Sequence, residues 1–269
     1  MKKLAVVYLA HDGFASLYSG VGTVARDFLL SFPDVSHQLR KKYPDVDLTL
    51  YVGTMKYNET SFALSVETRN ATQQFISEHD NMYFVELHNG SAAQDAYGVF
   101  ENWRYASISA ATFLYTIAGD FDEVLAVCVD TPFVQVANRF LDTYSDIGNV
   151  QFIWLPQSTV KIHGYGMSSS ADQQGEAYIK QRYDWEKGVI TLANHDKRVR
   201  IGCVGQFMKE HLVKDYQAAP EVLIDLHNSL YMERLRKNVH TQTEIRDFLR
   251  EHSIPLDRPI LFSFGRAEP

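Results

Sequence analysis

Short apolar segments rich in valine and isoleucine recur along this chain of 269 residues and alternate with segments of helical periodicity. They show little alternation of apolar and polar residues, which is typical of strands that are covered on both faces in a parallel sheet. We predict strands at Lys3–Leu9, Leu48–Val52, Met82–Glu86, Glu123–Val129, Val150–Leu155, Val199–Val204 and Val222–Ile224. We predict helices at Gly22–Phe32, Val99–Ile117, Pro132–Tyr144, Gly175–Ala193, Phe207–Tyr216 and Thr241–His252. With right-handed crossovers, this order gives a doubly wound α/β fold with a parallel sheet and helices on both faces.

Such folds bind ligands at the carboxyl ends of their strands. The loops that follow Leu9, Glu86, Val129 and Leu155 are therefore predicted to line one cleft. Residues in these loops are the first candidates for a functional site.

A glycine-containing segment, Ser19-Gly20-Val21-Gly22-Thr23, follows the first predicted strand and opens the first helix. Glycines at a helix start let the backbone approach a ligand closely, and the free N–H groups of the first turn favour an anion such as phosphate. The match of residues 20–25 to G-x-G-x-x-A does not indicate a nicotinamide cofactor, because about ten residues separate the strand from Gly20. No lysine follows the second glycine, so a phosphate-loop lysine is absent too. A helix start at which the glycines only permit a tight turn stays open as the alternative.

Composition narrows the class of protein. A formal net charge of −7 and a pI near 5.8 argue against a general nucleic-acid-binding surface. No apolar run approaches the ~20 residues of a membrane span, and Met1-Lys2-Lys3 leads into a strand without a signal-peptide pattern. We therefore predict a cytoplasmic protein without a transmembrane segment. Cys128 and Cys203 fall in predicted strands, where a reduced core role is favoured over a disulfide.

The last residues of the sequence are predicted to contain a linker and a further strand. Pro255-Leu256-Asp257-Arg258-Pro259 is predicted to be a linker, and residues 260–264 are predicted to form a further buried strand that runs into Gly265-Arg266. A single strand does not begin a stable domain on its own. It either completes the preceding sheet or opens a domain that this chain lacks.

Three motifs in order resemble two-domain GT-B glycosyltransferases of the glycogen synthase, sucrose synthase and mannosyltransferase type. Phe262-Ser263-Phe264-Gly265-Arg266 is similar to the strand that opens their second domain, and residues 19–22 to their glycine loop. The segment 220–225 with Asn228 is similar to the strand and turn ahead of their interdomain linker. The resemblance implies a Rossmann-like acceptor-side domain over residues 1–254. It also implies that residues 255–269 are a linker and the first strand of a missing donor-binding domain.

The resemblance further implies transfer of a hexosyl unit from a nucleotide-diphosphate sugar to a saccharide or other hydroxyl acceptor, with retention at the anomeric carbon. Gly20, Val21, Gly22 and Arg266 would then contact the donor diphosphate, and this chain alone would be inactive. A nucleotide-sugar epimerase or a non-catalytic nucleotide-binding module on a similar fold is the alternative, and an α/β interaction domain without a phosphate site is another.

The catalytic candidates come from the same loops. Where many members of that family carry a histidine after the fourth main strand, this chain has Asp130, which could orient or deprotonate an acceptor hydroxyl. Equally, Asp130 could cap the helix predicted from Pro132. His163 is a second catalytic candidate. His11 and Asp12, just before the glycine loop, are candidates for acceptor binding, with a local turn as their alternative.

The remaining histidines show no spacing such as H-E-x-x-H, and no Cys-x-x-Cys occurs. We predict no protein-bound metal and no cofactor.

Overall fold

A computed structural model describes residues 1–17, 19–59, 61, 64–90, 99–162, 173–233 and 240–255. The chain divides into two compact units, Met1–Leu230 and Tyr231–Pro269. The linker and strand predicted for residues 255–269 lie outside the described residues apart from Pro255. The predicted domain division at residue 254 therefore stays a prediction.

The first unit is built on a seven-stranded sheet, and the strands pair in parallel throughout. Its order is β3-β2-β1-β4-β5-β6-β7. The strands are β1 (Lys2–Leu9), β2 (Val46–Met55), β3 (Met82–Leu87), β4 (Glu123–Val129), β5 (Val150–Leu155), β6 (Val199–Cys203) and β7 (Leu223–Asp225). Together with the helices around the sheet, this confirms the predicted doubly wound, Rossmann-like α/β fold.

Six helices connect the strands of this unit or cover its sheet within the described residues. They are α1 (Gly20–Lys42), α2 (Val66–Ser77), α3 (Phe100–Ala118), α4 (Val136–Thr143), α5 (Gln173–His195) and α6 (Gln206–Tyr216). Short 3-10 segments occupy Thr131–Phe133 and Pro220–Val222, so the single helix predicted from Pro132 to Tyr144 was wrong in its first turns. The second unit contains α7 (Gln242–Glu251), which begins with a capping box between Thr241 and Glu244.

Helix α2 has no counterpart among the predicted helices. Its buried positions are Thr68, Thr72 and Ile76, while Val66 is exposed. Because threonine covers most of the face that is turned inward, no apolar stripe at helical spacing marks this segment in the sequence.

Helix α1 runs past Pro33, although its end was predicted at Phe32. Proline removes one backbone hydrogen bond inside a helix and ordinarily bends or ends it. Phe32 and Ser36, on either side of the proline, are both buried, so the turn around Pro33 keeps one face against the protein.

The sheet separates two apolar cores. Val7 and Leu9 of β1 contribute to the core that contains residues of α3, α4, α5 and α6, whereas Tyr8 belongs to the core with residues of α1 and α2. Both faces of the central strands are thus covered, which explains why their sequences lack the alternation of a half-exposed strand. Cys128 and Cys203 are buried and free, as predicted.

The strand order places a reversal point between β1 and β4. The chain moves outward from β1 to β2 and β3, returns to β4 on the other side of β1, and continues in the opposite direction. Leu9 and Cys128 are paired neighbours, so the loops after β1 and β4 leave the sheet side by side. Doubly wound folds bind ligands at the carboxyl end of such a reversal point. None of the helices within the described ranges is long and apolar enough to cross a membrane.

Candidate functional site

Asp12 organises the loop between β1 and α1. Its Oδ1 accepts hydrogen bonds from the Gly13 backbone N–H and the Ser16 hydroxyl, both at 2.9 Å. Its Oδ2 accepts from the Ser19 N–H at 2.9 Å and from the Ser19 hydroxyl at 2.6 Å. The side chain is fully buried. This carboxylate therefore fixes the path of the chain from the sheet to the first helix.

Gly22 lies directly against that carboxylate. A Cβ atom at this position would come within 2.3 Å of Asp12 Oδ2. The Gly22 backbone N–H donates a hydrogen bond to Oγ of Ser19, the residue that caps α1, at 3.3 Å. Around Gly20, by contrast, a Cβ would meet no atom within 4 Å. The two glycines therefore differ: Gly22 is required by the protein's own packing, while Gly20 faces open space at the start of α1.

Asp130 follows β4 in an unusual backbone conformation, with φ 59° and ψ −166°. Residues other than glycine rarely occupy this part of φ/ψ space, and strain of this kind is concentrated at functional sites. Its backbone is held on both sides: the N–H donates to the Leu155 carbonyl at 3.0 Å, and the carbonyl accepts from Trp154 Nε1 at 3.1 Å.

The Asp130 side chain makes no capping hydrogen bond to the 3-10 segment that follows, so the capping alternative is not supported. Its Oδ1 is buried without a hydrogen-bond partner among the described residues. Among the described residues, the cation that pairs with it is Arg182, whose Nη2 lies 3.9 Å from Oδ1. This distance is too long for a hydrogen bond, so the interaction is electrostatic.

Arg182 is held by a buried carboxylate one helical turn further along α5. Its Nε donates to Glu186 Oε1 at 2.8 Å, and its Nη2 donates to the Ser158 carbonyl at 3.3 Å. Burial alone would lower the pKa of Arg182, but the negative charges of Glu186 and Asp130 outweigh it and raise that pKa. Arg182 is therefore a fixed cation between Glu186 and Asp130.

His11 is buried beside this group. Burial lowers the pKa of its imidazole below the ordinary value of 6.5, and the positive charge of Arg182 adds to this. The carboxylates of Asp130 and Asp12 act in the opposite direction without cancelling the effect. His11, Asp130 and Arg182 thus form one electrostatically coupled group at the reversal point.

We expect the His11 imidazole to titrate below 6.5, its ordinary pKa. The unfolded chain takes up this proton near that pH while the folded chain does not, so this group destabilises the fold as the pH falls below it. The pKa can be measured by NMR of the histidine ring signals, assigned with a His11→Gln variant. Asp130→Asn should lower the pKa of His11 further, and Arg182→Met should raise it. A measured value at or above the ordinary one contradicts this assignment.

The structure places some of the predicted site residues together, while others lie outside the described residues. His11, Asp12, Gly20, Val21, Gly22 and Asp130 lie in or just after the adjoining loops that leave β1 and β4. His163 and Arg266 lie outside the described residues. Arg182 and Glu186 were not predicted, because charged pairs four residues apart on a helix are ordinarily solvent-exposed. In the described part of the chain, no group of three or more His, Cys, Asp and Glu side chains could hold a metal ion.

Comparison with known proteins gives similarity only at the level of solved structures, since no family model and no curated protein matches. A glycosyltransferase from Rickettsia africae is 10% identical over 96% of this chain and 51% of its own, with a TM-score of 0.49. UDP-GlcNAc 2-epimerase from Neisseria meningitidis, bound to UDP-GlcNAc, is 14% identical over 93% of this chain and 53% of its own, with a TM-score of 0.44. The catalytic domain of starch synthase IV from Arabidopsis thaliana, bound to ADP and acarbose, is 12% identical over 87% and 53%, with a TM-score of 0.44.

This chain spans about half the length of these three structures.

Proposed function

We propose that this chain is the acceptor-side domain of a GT-B type glycosyltransferase, which moves a hexosyl unit from a nucleotide-diphosphate sugar to a hydroxyl acceptor. The single observation that carries the proposal is the coupled group at the reversal point between β1 and β4, where doubly wound folds bind their ligands. The motif resemblance supplies the kind of reaction, including retention at the anomeric carbon.

In this proposal Asp130 is the general base that acts on the acceptor hydroxyl. Its buried Oδ1 has no hydrogen-bond partner among the described residues and can accept the proton of an acceptor hydroxyl. The acceptor oxygen then bonds to the anomeric carbon on the same face from which the diphosphate departs, so the configuration is retained as the bond to the diphosphate breaks. A general base in this position contributes about 10²–10⁴ in rate. His163, outside the described residues, is the second candidate for this part of the reaction.

The donor diphosphate is assigned to the start of α1. The first N–H groups of a helix lack partners within the helix and favour an anion. Gly20 leaves open space there, whereas the Gly22 N–H already donates to Ser19. Gly20 and Val21 are therefore the stronger candidates among the three predicted contacts. Arg266 is proposed to add a positive charge that stabilises the leaving diphosphate.

The acceptor contacts proposed for His11 and Asp12 are of two kinds. Asp12 uses both carboxylate oxygens to hold its own loop, so its contribution is to shape the acceptor side rather than to contact the acceptor. His11, neutral and coupled to Asp130, is the better candidate for a direct contact.

An activity assay that compares a two-domain polypeptide with the isolated chain tests the proposal. We expect a polypeptide that joins this chain to a donor-binding domain to transfer sugar from a nucleotide-diphosphate sugar to a hydroxyl acceptor, and the purified 269-residue chain alone to show no turnover. The assay follows release of the nucleoside diphosphate and formation of the glycoside by mass spectrometry. Robust transfer by the isolated chain contradicts the division of the two substrates between domains. Epimerised nucleotide sugar formed without any acceptor contradicts glycosyl transfer itself.

A further inference from the structure

We infer that Glu186 and Tyr216 are positioning residues that hold the guanidinium of Arg182 against Asp130. This inference deepens the proposed function, because it rests on the acceptor role given to Asp130. It adds a second layer to the site, contributed by α5 and α6, that no sequence motif indicates.

Three parts of the fold converge on the Glu186 carboxylate. The Val160 backbone N–H lies 3.1 Å from each of its oxygens, and the Tyr216 hydroxyl donates to Oε2 at 2.5 Å. The third donor is Arg182 Nε at 2.8 Å. Every partner is a donor, so these hydrogen bonds and the Arg182 charge favour the ionised form, but burial outweighs them and raises the pKa of Glu186 above its ordinary value. A buried carboxylate with three such partners has little freedom to move.

This anchor fixes the guanidinium plane of Arg182. Nε is bound to Glu186, and Nη2 is directed to the carbonyl and hydroxyl of Ser158 at 3.3 and 3.4 Å. A planar fork that is bonded at two of its nitrogens has a defined orientation. The Arg182 side chain is only 10% exposed, so solvent does not compete strongly for it.

The 3.9 Å separation between Arg182 Nη2 and Asp130 Oδ1 then has a consequence for the reaction. The guanidinium attracts the Asp130 carboxylate electrostatically without donating a hydrogen bond to Oδ1. The oxygen keeps its capacity to accept a proton from an acceptor hydroxyl. A freely moving arginine would instead form a direct bidentate pair with Asp130 and occupy its oxygens.

Two variants weaken the anchor in different ways. Glu186→Gln removes the charge that holds Arg182, whereas Tyr216→Phe removes one hydrogen bond and leaves all charges in place. The control is Asp196→Asn, which weakens a more exposed carboxylate–arginine pair of the same length, Asp196 with Arg198 at 2.8 Å, just before the amino end of β6 and thus away from the carboxyl edge.

We expect both anchor variants to lower kcat about 10- to 100-fold in the active two-domain protein, because a small displacement of a reacting group has effects of this size. The donor KM should stay unchanged, and Asp196→Asn should leave kcat unchanged. In the 269-residue chain, the NMR-measured pKa of His11 should move in Tyr216→Phe, since Arg182 is one of the charges that act on it. A loss of stability alone moves neither the kcat of the folded fraction nor this pKa.

The outcomes separate the two proposals. If Asp130→Asn abolishes transfer while Glu186→Gln and Tyr216→Phe keep full kcat, the positioning role is wrong and the proposed function stands. If Asp130→Asn keeps full kcat, the acceptor role of Asp130 is wrong and the positioning role fails with it. An unchanged pKa of His11 in Tyr216→Phe overturns the inference whether or not transfer is observed, and remains measurable where Glu186→Gln does not fold.

Discussion

Asp130→Asn is expected to lower kcat by about 10²-fold or more while leaving the melting temperature almost unchanged. The amide has nearly the same shape as the carboxylate but cannot take a proton. No capping hydrogen bond depends on the Asp130 side chain, and asparagine has the same size and branching as aspartate, so the backbone strain at this position is unchanged. The variant therefore removes the proposed chemistry and keeps the fold. Steady-state kinetics of the two-domain protein, together with thermal unfolding, measure the two effects separately.

Asp225→Asn is the matched control. Asp225 also ends a parallel strand, but its side chain is exposed and pairs with Lys209 at 3.1 Å. This variant should keep both kcat and the melting temperature. Normal turnover by Asp130→Asn would instead assign the activation of the acceptor hydroxyl to His163, or to His11 in the loop that Asp12 holds.

Gly22→Ala is expected to lower the free energy of unfolding by about 3 kcal/mol, because the added Cβ overlaps the Asp12 carboxylate and forces it from its hydrogen bonds. That carboxylate lies 2.3 Å from the position of the new atom and is surrounded by fixed donors from Gly13, Ser16 and Ser19. Denaturant unfolding of the 269-residue chain measures the loss.

Gly20→Ala provides the control within the same helix start. A Cβ at Gly20 meets no atom within 4 Å, so alanine should leave stability unchanged or raise it by about 0.4–1 kcal/mol. If the diphosphate approaches the Gly20 backbone, this variant weakens donor binding without weakening the fold. A Gly22→Ala chain as stable as the wild type would mean that Asp12 can shift at little cost and that the packing of this loop does not require glycine at position 22.

The sheet could be predicted because its central strands are mainly apolar on both faces, and Glu123–Val129 and Val150–Leu155 were predicted to the residue. Helix α2 could not be predicted from the sequence, because its inward face consists mainly of Thr68 and Thr72. The end of α1 could not either, because buried residues on both sides of Pro33 carry the helix past a proline. In both cases contacts made only in the folded chain outweigh local preference.

The site could be predicted in part for a similar reason. Parallel strands bring their carboxyl ends to one edge, so His11 and Asp130 could be assigned to one cleft from their positions after two strands. The burial of Arg182 and Glu186 depends on contacts with Ser158, Val160 and Tyr216, which no local pattern indicates. Likewise, a glycine such as Gly22 indicates a close approach, but the sequence does not say that the approaching atom belongs to Asp12.

The backbone conformation at Asp130 lowers the stability of the fold, while the side chain at this position is the carboxylate that the proposed reaction uses. Glycine adopts a conformation near φ 59° and ψ −166° freely, whereas another residue there costs about 1–3 kcal/mol. Selection of variants of this chain for thermal stability alone would therefore favour glycine in place of Asp130. The selected variants would lack the carboxylate that the proposed reaction needs. Such a selection should hold position 130 constant, because the residue in this strained conformation is also the one assigned the chemistry.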